Sequence, residues 1–179
     1  MDPIFFIFVL MATLIITANL LAIYWFGGML IPIFHGGAPY IPSTQEKAVT
    51  MISMAKISPT DHVVDMGSGD GILLIEAIKV GAKSATGYEL HPGLIKRSVR
   101  KINKLGFSKK IEILKESFWD ADLKNTDVVL LYQTSPAMNK LKLKLKNELK
   151  PGSRIVSNAF NFPNWKPVQE KSGIYLYIV

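Results

Sequence analysis

Cysteine is absent from the 179 residues, so no disulfide framework holds this chain and it is suited to either redox environment. Charge is missing over a long stretch: Ile4 to Phe26 carries none, and the first Lys or Arg of the chain is Lys47. That absence removes the basic start of a cleaved signal peptide, and no small-x-small cleavage site follows the run. It also leaves the positive-inside rule little to count. The run is hydrophobic all round, with only Thr13, Thr17 and Asn19 as interior polar groups, unlike the one-sided stripe of a core helix. As a helix it would reach ~34 Å, enough to cross ~30 Å of hydrocarbon. Tyr24 and Trp25 close it where interface aromatics belong. The expectation is a single-pass membrane protein with one N-terminal transmembrane helix. Internal repeats and low-complexity segments are absent too, which excludes solenoids and disordered arrays.

What charge there is lies beyond that run and is unbalanced, with a net of +7. Lys96, Arg97, Arg100, Lys101 and Lys104 cluster on an expected helix whose other face carries Ile95, Val99, Ile102 and Leu105, with Gly106 as its stop. No aromatic interleaving accompanies the cluster, so no nucleic-acid partner is expected. A solvated helix face is the plain reading, and attraction to anionic headgroups beside an anchor is the second.

Val63-Val64-Asp65-Met66-Gly67-Ser68-Gly69-Asp70-Gly71 reads as a buried strand ending in a glycine turn. Ile72 to Ile78 opens a helix whose N-terminus faces the same ligand. A dinucleotide fingerprint needs a third glycine where this chain has Ile72, and Asp65 and Asp70 would repel a pyrophosphate. A cofactor with hydroxyls, an amine and a positive sulfonium suits that loop, which describes S-adenosyl-L-methionine. Ala85-Thr86-Gly87-Tyr88-Glu89 reads as a second strand that ends in a carboxylate placed to accept from ribose hydroxyls.

The remaining pattern completes an alternating α/β chain. Gly27 to Pro42 is an apolar connector rich in Gly and Pro, in which His35 is a lone loop histidine. Gln45 to Met54 is a helix capped by Ser43 or Thr44. Strands follow at Lys110 to Leu114, Asp127 to Tyr132 and Arg154 to Phe160, and Met138 to Lys150 is a helix with lysines on its wet face. Lys166 to Glu170 and Ile174 to Val179 close the sheet as an antiparallel hairpin about Lys171-Ser172-Gly173. The expected fold is a Rossmann-like, seven-stranded class I methyltransferase sheet with flanking helices. Phe118 or Trp119, just past the third strand, is placed to pack on an adenine ring.

Pro39-Tyr40-Ile41-Pro42-Ser43-Thr44, the Asp65 loop, Gly87-Tyr88-Glu89-Leu90-His91-Pro92, Pro151-Gly152-Ser153-Arg154-Ile155-Val156-Ser157 and Trp165 together resemble the membrane-anchored family of seven-β-strand protein-lysine methyltransferases. Its mitochondrial members modify the ATP synthase c-subunit and the adenine nucleotide translocase. The resemblance covers Pro39 to the end and implies a protein substrate carrying a target lysine. Tyr40, Ser43, Thr44, Asp65, Gly67, Ser68, Gly69, Asp70, Gly71, Glu89, Leu90, Ser117 and Phe118 would hold S-adenosyl-L-methionine, and Tyr132 would orient the substrate amine. The chain then divides into an anchor (1–27), a connector and cofactor-closing segment (28–44) and an S-adenosylmethionine-dependent methyltransferase domain (45–179). That domain is expected in the cytosol, where the cofactor is made. Two departures stand out: Ser117-Phe118-Trp119 replaces an acid-containing stretch, and the polar Gln133-Thr134-Ser135 replaces an apolar one.

Overall fold

The computed structural model describes residues 2–179. Its first element, α1 (Pro3–Phe34), begins at Asp2, whose side chain accepts from the Ile4 N–H at 3.0 Å. The helix does not stop at Phe26. It continues through Gly27, Gly28 and Pro32, so the first part of the expected connector is helical. Pro32 costs one backbone hydrogen bond, and the chain leaves the helix within two residues of it. At ~1.5 Å per residue the 32 residues span ~48 Å.

After α1 the chain alternates. It runs through α2 (Gln45–Ala55), β1 (His62–Met66), α3 (Ile72–Lys79), β2 (Ser84–Tyr88), α4 (Pro92–Lys104), β3 (Ile111–Leu114), a single 3₁₀ turn (Phe118–Asp120) and β4 (Val128–Leu131). It ends with α5 (Ser135–Glu148), β5 (Arg154–Asn158), β6 (Gln169–Lys171) and β7 (Ile174–Ile178). The N-cap of α2 is Thr44, whose hydroxyl accepts from the Lys47 N–H at 3.3 Å. The expected fifth strand ends early, at Asn158, because Ala159 takes a positive φ of 68°. Ser172 and Gly173 both have positive φ, the requirement of a two-residue type I′ hairpin. The β6–β7 turn is therefore tighter than the three-residue one read from the sequence.

The seven strands lie in the order β3-β2-β1-β4-β5-β7-β6, the first five parallel and β7 antiparallel to both neighbours. Alternation along each buried strand sends Val63 to a layer formed by α2, α3 and Ile102 of α4. Val64 and Met66 face the layer made by α5, Phe118, Phe162 and Tyr177. From β1 the chain winds outward to β3, then returns to lay β4 against β1 on the other side. The carboxyl ends of β1 and β4 therefore flank a crevice, the place where such sheets take ligands.

Arg154, at the start of β5, fastens the opposite pole. Its guanidinium donates to the Ala55 and Lys56 carbonyls at 3.0 and 2.6 Å, just where α2 ends, and pairs with buried Asp61 at 2.7 Å. The Arg154→Met variant would leave Asp61 buried without its cation and the α2 carbonyls unpaired. We expect a loss of ~2–3 kcal/mol, below the ~3–5 of a fully buried pair because Arg154 is partly wet. Urea denaturation of the purified chain measures it, and an unchanged midpoint would show that water replaces the guanidinium.

Candidate functional site

The loop after β1 is built on three positive-φ glycines, Gly67, Gly69 and Gly71, at 100°, 53° and 79°, conformations that a Cβ makes costly. Its backbone is bound to the end of β2: the Gly67 and Ser68 N–H groups both donate to the Tyr88 carbonyl at 3.1 and 2.9 Å. Glu89 finishes the lock. One carboxylate oxygen accepts from the Gly69 N–H at 2.8 Å, and the other accepts from the Leu90 and His91 N–H groups at 2.8 and 2.7 Å. A buried acid is retained here because three backbone donors satisfy it.

Around this loop one cavity gathers Tyr40, Ser43, Asp65, Gly67, Ser68, Gly69, Asp70, Glu89, Leu90, Ser117, Phe118 and Tyr132. Of the residues expected to hold the cofactor, Thr44 and Gly71 stand outside its lining. Thr44 is spent on capping α2, and Gly71 opens α3, where an added Cβ would lie 3.1 Å from Ser98. The Tyr40 ring lies on the loop, since a Cβ on Gly69 would come within 2.6 Å of it. The Phe118 and Trp119 rings pack tilted by 43° with centroids 4.9 Å apart, and Phe118 is the one that lines the cavity. Pro32 and His35 from the end of α1 also line it.

Gln133 and His91 had no role assigned from the sequence. Gln133, buried just past β4, donates from its amide nitrogen to the Met66 carbonyl at 2.6 Å, which leaves its Oε1 without a partner among the described residues. Ser68 Oγ is likewise buried and unpartnered. His91 caps α4: its Nδ1 accepts from the Gly93 and Leu94 N–H groups at 3.0 and 3.4 Å. That fixes the proton on Nε2, which donates to the Trp25 carbonyl of α1 at 3.2 Å. The polar run after β4 was the signal for Gln133, whereas a histidine cap has little signature.

The charges differ in how they are balanced. Asp70 pairs with Lys101 at 2.5 Å and stands 3.8 Å from Arg97. Asp65 has no such cation among the described residues. Burial, with Glu89 and then Asp70 nearby, pushes its carboxyl up to about 8. Burial, and next the Asp70 charge, also raises the Tyr40 phenol. Such a site disfavours a pyrophosphate and favours a cation that brings donors. The donor-hungry oxygens of Ser68 and Gln133, the acids and the apolar flank of Leu90 and Phe118 fit S-adenosyl-L-methionine.

A seven-stranded sheet switching direction at a glycine loop clasped by a carboxylate defines an S-adenosylmethionine-dependent methyltransferase. A solved structure of similar shape is an RNA methyltransferase from Salinibacter ruber in complex with S-adenosyl-L-homocysteine. It is 29% identical, with a TM-score of 0.73, over 77% of this chain and 93% of that one. Within the class, the family model described as the ANTKMT methyltransferase domain matches residues 65–169, and this chain belongs to that family. A protein-lysine N-methyltransferase of Saccharolobus islandicus is 33% identical over 79% of this chain and 93% of its own length. The adenine nucleotide translocase lysine N-methyltransferase of Mus musculus is 30% identical over 73% of this chain, which spans 56% of that relative.

Because burial raises the Asp65 carboxyl to about 8, a cationic cofactor arriving near neutral pH would have to displace its proton to gain a full charge. The folded value lies above the unfolded one, so this group's contribution to the ligand-free fold falls as pH rises from about 4 to about 8. S-adenosylmethionine affinity should rise as pH climbs toward about 8, with proton release on binding, and Asp65→Asn should flatten the slope. Titration calorimetry in two buffers of different ionisation enthalpy measures both, and a flat wild-type profile would mean that Asp65 is already ionised.

Proposed function

We propose that this chain is a single-pass, membrane-anchored methyltransferase that transfers methyl groups to the ε-amine of a lysine in a protein substrate, with its catalytic domain in the cytosol. The observation that carries the reading is that the end of the apolar helix and the cofactor acids share one cavity: Pro32 and His35 line it together with Asp65 and Glu89. An acceptor reached there lies at the end of the anchor. The side chains of Ile4 to Phe26 are exposed along their length. Thr13, Thr17 and Asn19 bond back to the carbonyls of Val9, Thr13 and Ile15 at 2.7–2.8 Å, which suits a hydrocarbon surround. The relatives from Saccharolobus islandicus and Mus musculus, both lysine N-methyltransferases by name, support lysine as acceptor.

The division into anchor, connector and catalytic domain is kept in this reading, with the boundary at 27 placed inside a continuous helix. S-adenosyl-L-methionine, when bound, supplies a methyl group on a positive sulfur that an amine can displace. Asp65, Glu89, Ser68 and the glycine loop would hold it, with Leu90, Ser117 and Phe118 on its flank and Tyr40 and Ser43 closing over it. The acceptor must arrive as a neutral amine, and burial lowers a lysine's pKa in that direction. Gln133 Oε1, held in place because the amide nitrogen donates to the Met66 carbonyl, would accept from the amine N–H and aim its lone pair, with Tyr132 beside it. No protein base is needed beyond the solvent that takes the proton.

Labelled S-adenosylmethionine incubated with the full chain and a membrane extract should place label in protein as methyl-lysine. Label in lipid would instead support an enzyme acting on a membrane-soluble small molecule, and label in RNA would follow the Salinibacter ruber protein. No label at all would leave a binding module. Asp65→Ala and Glu89→Ala should abolish cofactor binding while the protein stays folded. Gln133→Met and Tyr132→Phe should preserve binding and slow turnover, Gln133→Met by roughly tenfold or more for a lost buried hydrogen bond. Wild-type rates would remove those two roles.

A further inference from the structure

The strongest unassigned feature is the basic face of α4. At 100° per residue, Lys96, Arg97, Arg100 and Lys104 fall within about 100° of arc on one side of the helix, opposite buried Leu94, Ser98 and Ile102. Their side of the helix is exposed and α4 contains no acid. Arg97 leans toward Asp70 of the glycine loop at 3.8 Å. Among the described residues no carboxylate pairs with Lys96, Arg100 or Lys104.

The lysines of α5 form a contrast. Lys144 bonds Glu148 and the Ala121 carbonyl, Lys142 bonds the Pro163 carbonyl, and Lys140 and Lys146 sit over the Trp119 and Trp165 rings. Those charges are already occupied by the protein. Lys96, Arg100 and Lys104 face outward, with no acid among the described residues to meet them.

Position decides what meets them. Gly93 lies within the same arc as the basic residues, and a Cβ there would stand 3.0 Å from the Trp25 indole. Trp25 and His91 pack edge to face at 5.0 Å, and Gly28 presses so closely that a Cβ would come within 2.7 Å of His91. The apolar helix therefore meets the domain at the head of the basic stripe, and Trp25 is an aromatic at the end of the uncharged run. From Lys96 to Lys104 the stripe extends only ~12 Å along α4, about the reach of a headgroup layer plus a Debye length at physiological salt.

We propose that this stripe rests on anionic lipid headgroups and so fixes the tilt of the catalytic domain on the bilayer. It rests on the membrane-anchor reading of α1. The complementarity is electrostatic, so the contact requires negative lipid and weakens with salt.

The test uses the full chain in vesicles of phosphatidylcholine alone, or with about a third phosphatidylglycerol, treated with a lysine-acetylating reagent and read by mass spectrometry. Acetylation of Lys96 and Lys104 should slow roughly threefold or more in the anionic vesicles, the effect vanishing near 0.5 M salt. Lys171, at the opposite sheet edge, should not change. A Lys96→Glu, Arg100→Glu, Lys104→Glu variant should lose any orientation effect on methyl transfer while binding S-adenosylmethionine as before. Flotation of the same samples separates the two ideas. A chain that floats with both vesicles but shows equal labelling overturns the stripe alone. Floating with neither overturns both, and floating only with anionic vesicles keeps the stripe and overturns the anchor. Protection by added RNA without protection by anionic lipid overturns the proposal in favour of nucleic acid.

Discussion

Glu89 is a carboxylate buried at the end of β2, and its three backbone donors come from three different pieces of the molecule. Gly69 belongs to the loop after β1, Leu90 to the exit of β2 and His91 to the cap of α4. An ionised acid in that position would be intolerable without them, and the loop, with its three left-handed glycines, would have no reason to hold one shape. The same His91 whose N–H is bound by Glu89 reaches the Trp25 carbonyl with its ring. A continuous line of polar contacts thus runs from the glycine loop to the apolar helix. One buried carboxylate thus ties the glycine loop to the cap of α4, and that cap touches α1.

The crevice keeps its other acids in unequal states. Asp70 is answered from outside by Lys101 and Arg97, so it shapes the loop without demanding a ligand. Asp65 is answered by no cation among the described residues, and its proton takes that place. Together with the unpartnered oxygens of Ser68 and Gln133, it makes the ligand-free site a place where polar groups have been desolvated in advance. The cost is carried by the close-packed sheet behind it, where Val63, Val64 and the β4 residues are wholly buried.

Much of this was legible in the chain. Val63 to Gly71 announced strand, turn and helix because β-branched residues and glycines have strong local preferences, and Glu89 followed at the right interval. The closing hairpin was visible about Lys171-Ser172-Gly173, one residue wider than its turn. What escaped were features set by distant partners. The helix through Gly27, Gly28 and Pro32 contradicts local propensity and persists because Gly28 is pressed against His91, an arrangement no window of sequence contains. Thr44 and Gly71 lie outside the cavity lining, Thr44 at the cap that the sequence offered and Gly71 packed beside Ser98. Gln133 looked merely polar, and only the Met66 carbonyl explains why one end of its amide is fixed and the other free.

A passive tether accepts any apolar sequence of adequate length, so its residues can be exchanged without consequence to what it carries. The last turns of α1 have no such freedom. Trp25 and Gly28 are shaped to α4, and Pro32 and His35 form part of the wall of the cavity that holds Asp65 and Glu89. Replacing α1 by another helix, or trimming it back to Gly37, would therefore remove part of the enzyme itself. The portable module begins near Trp25, well inside the helix.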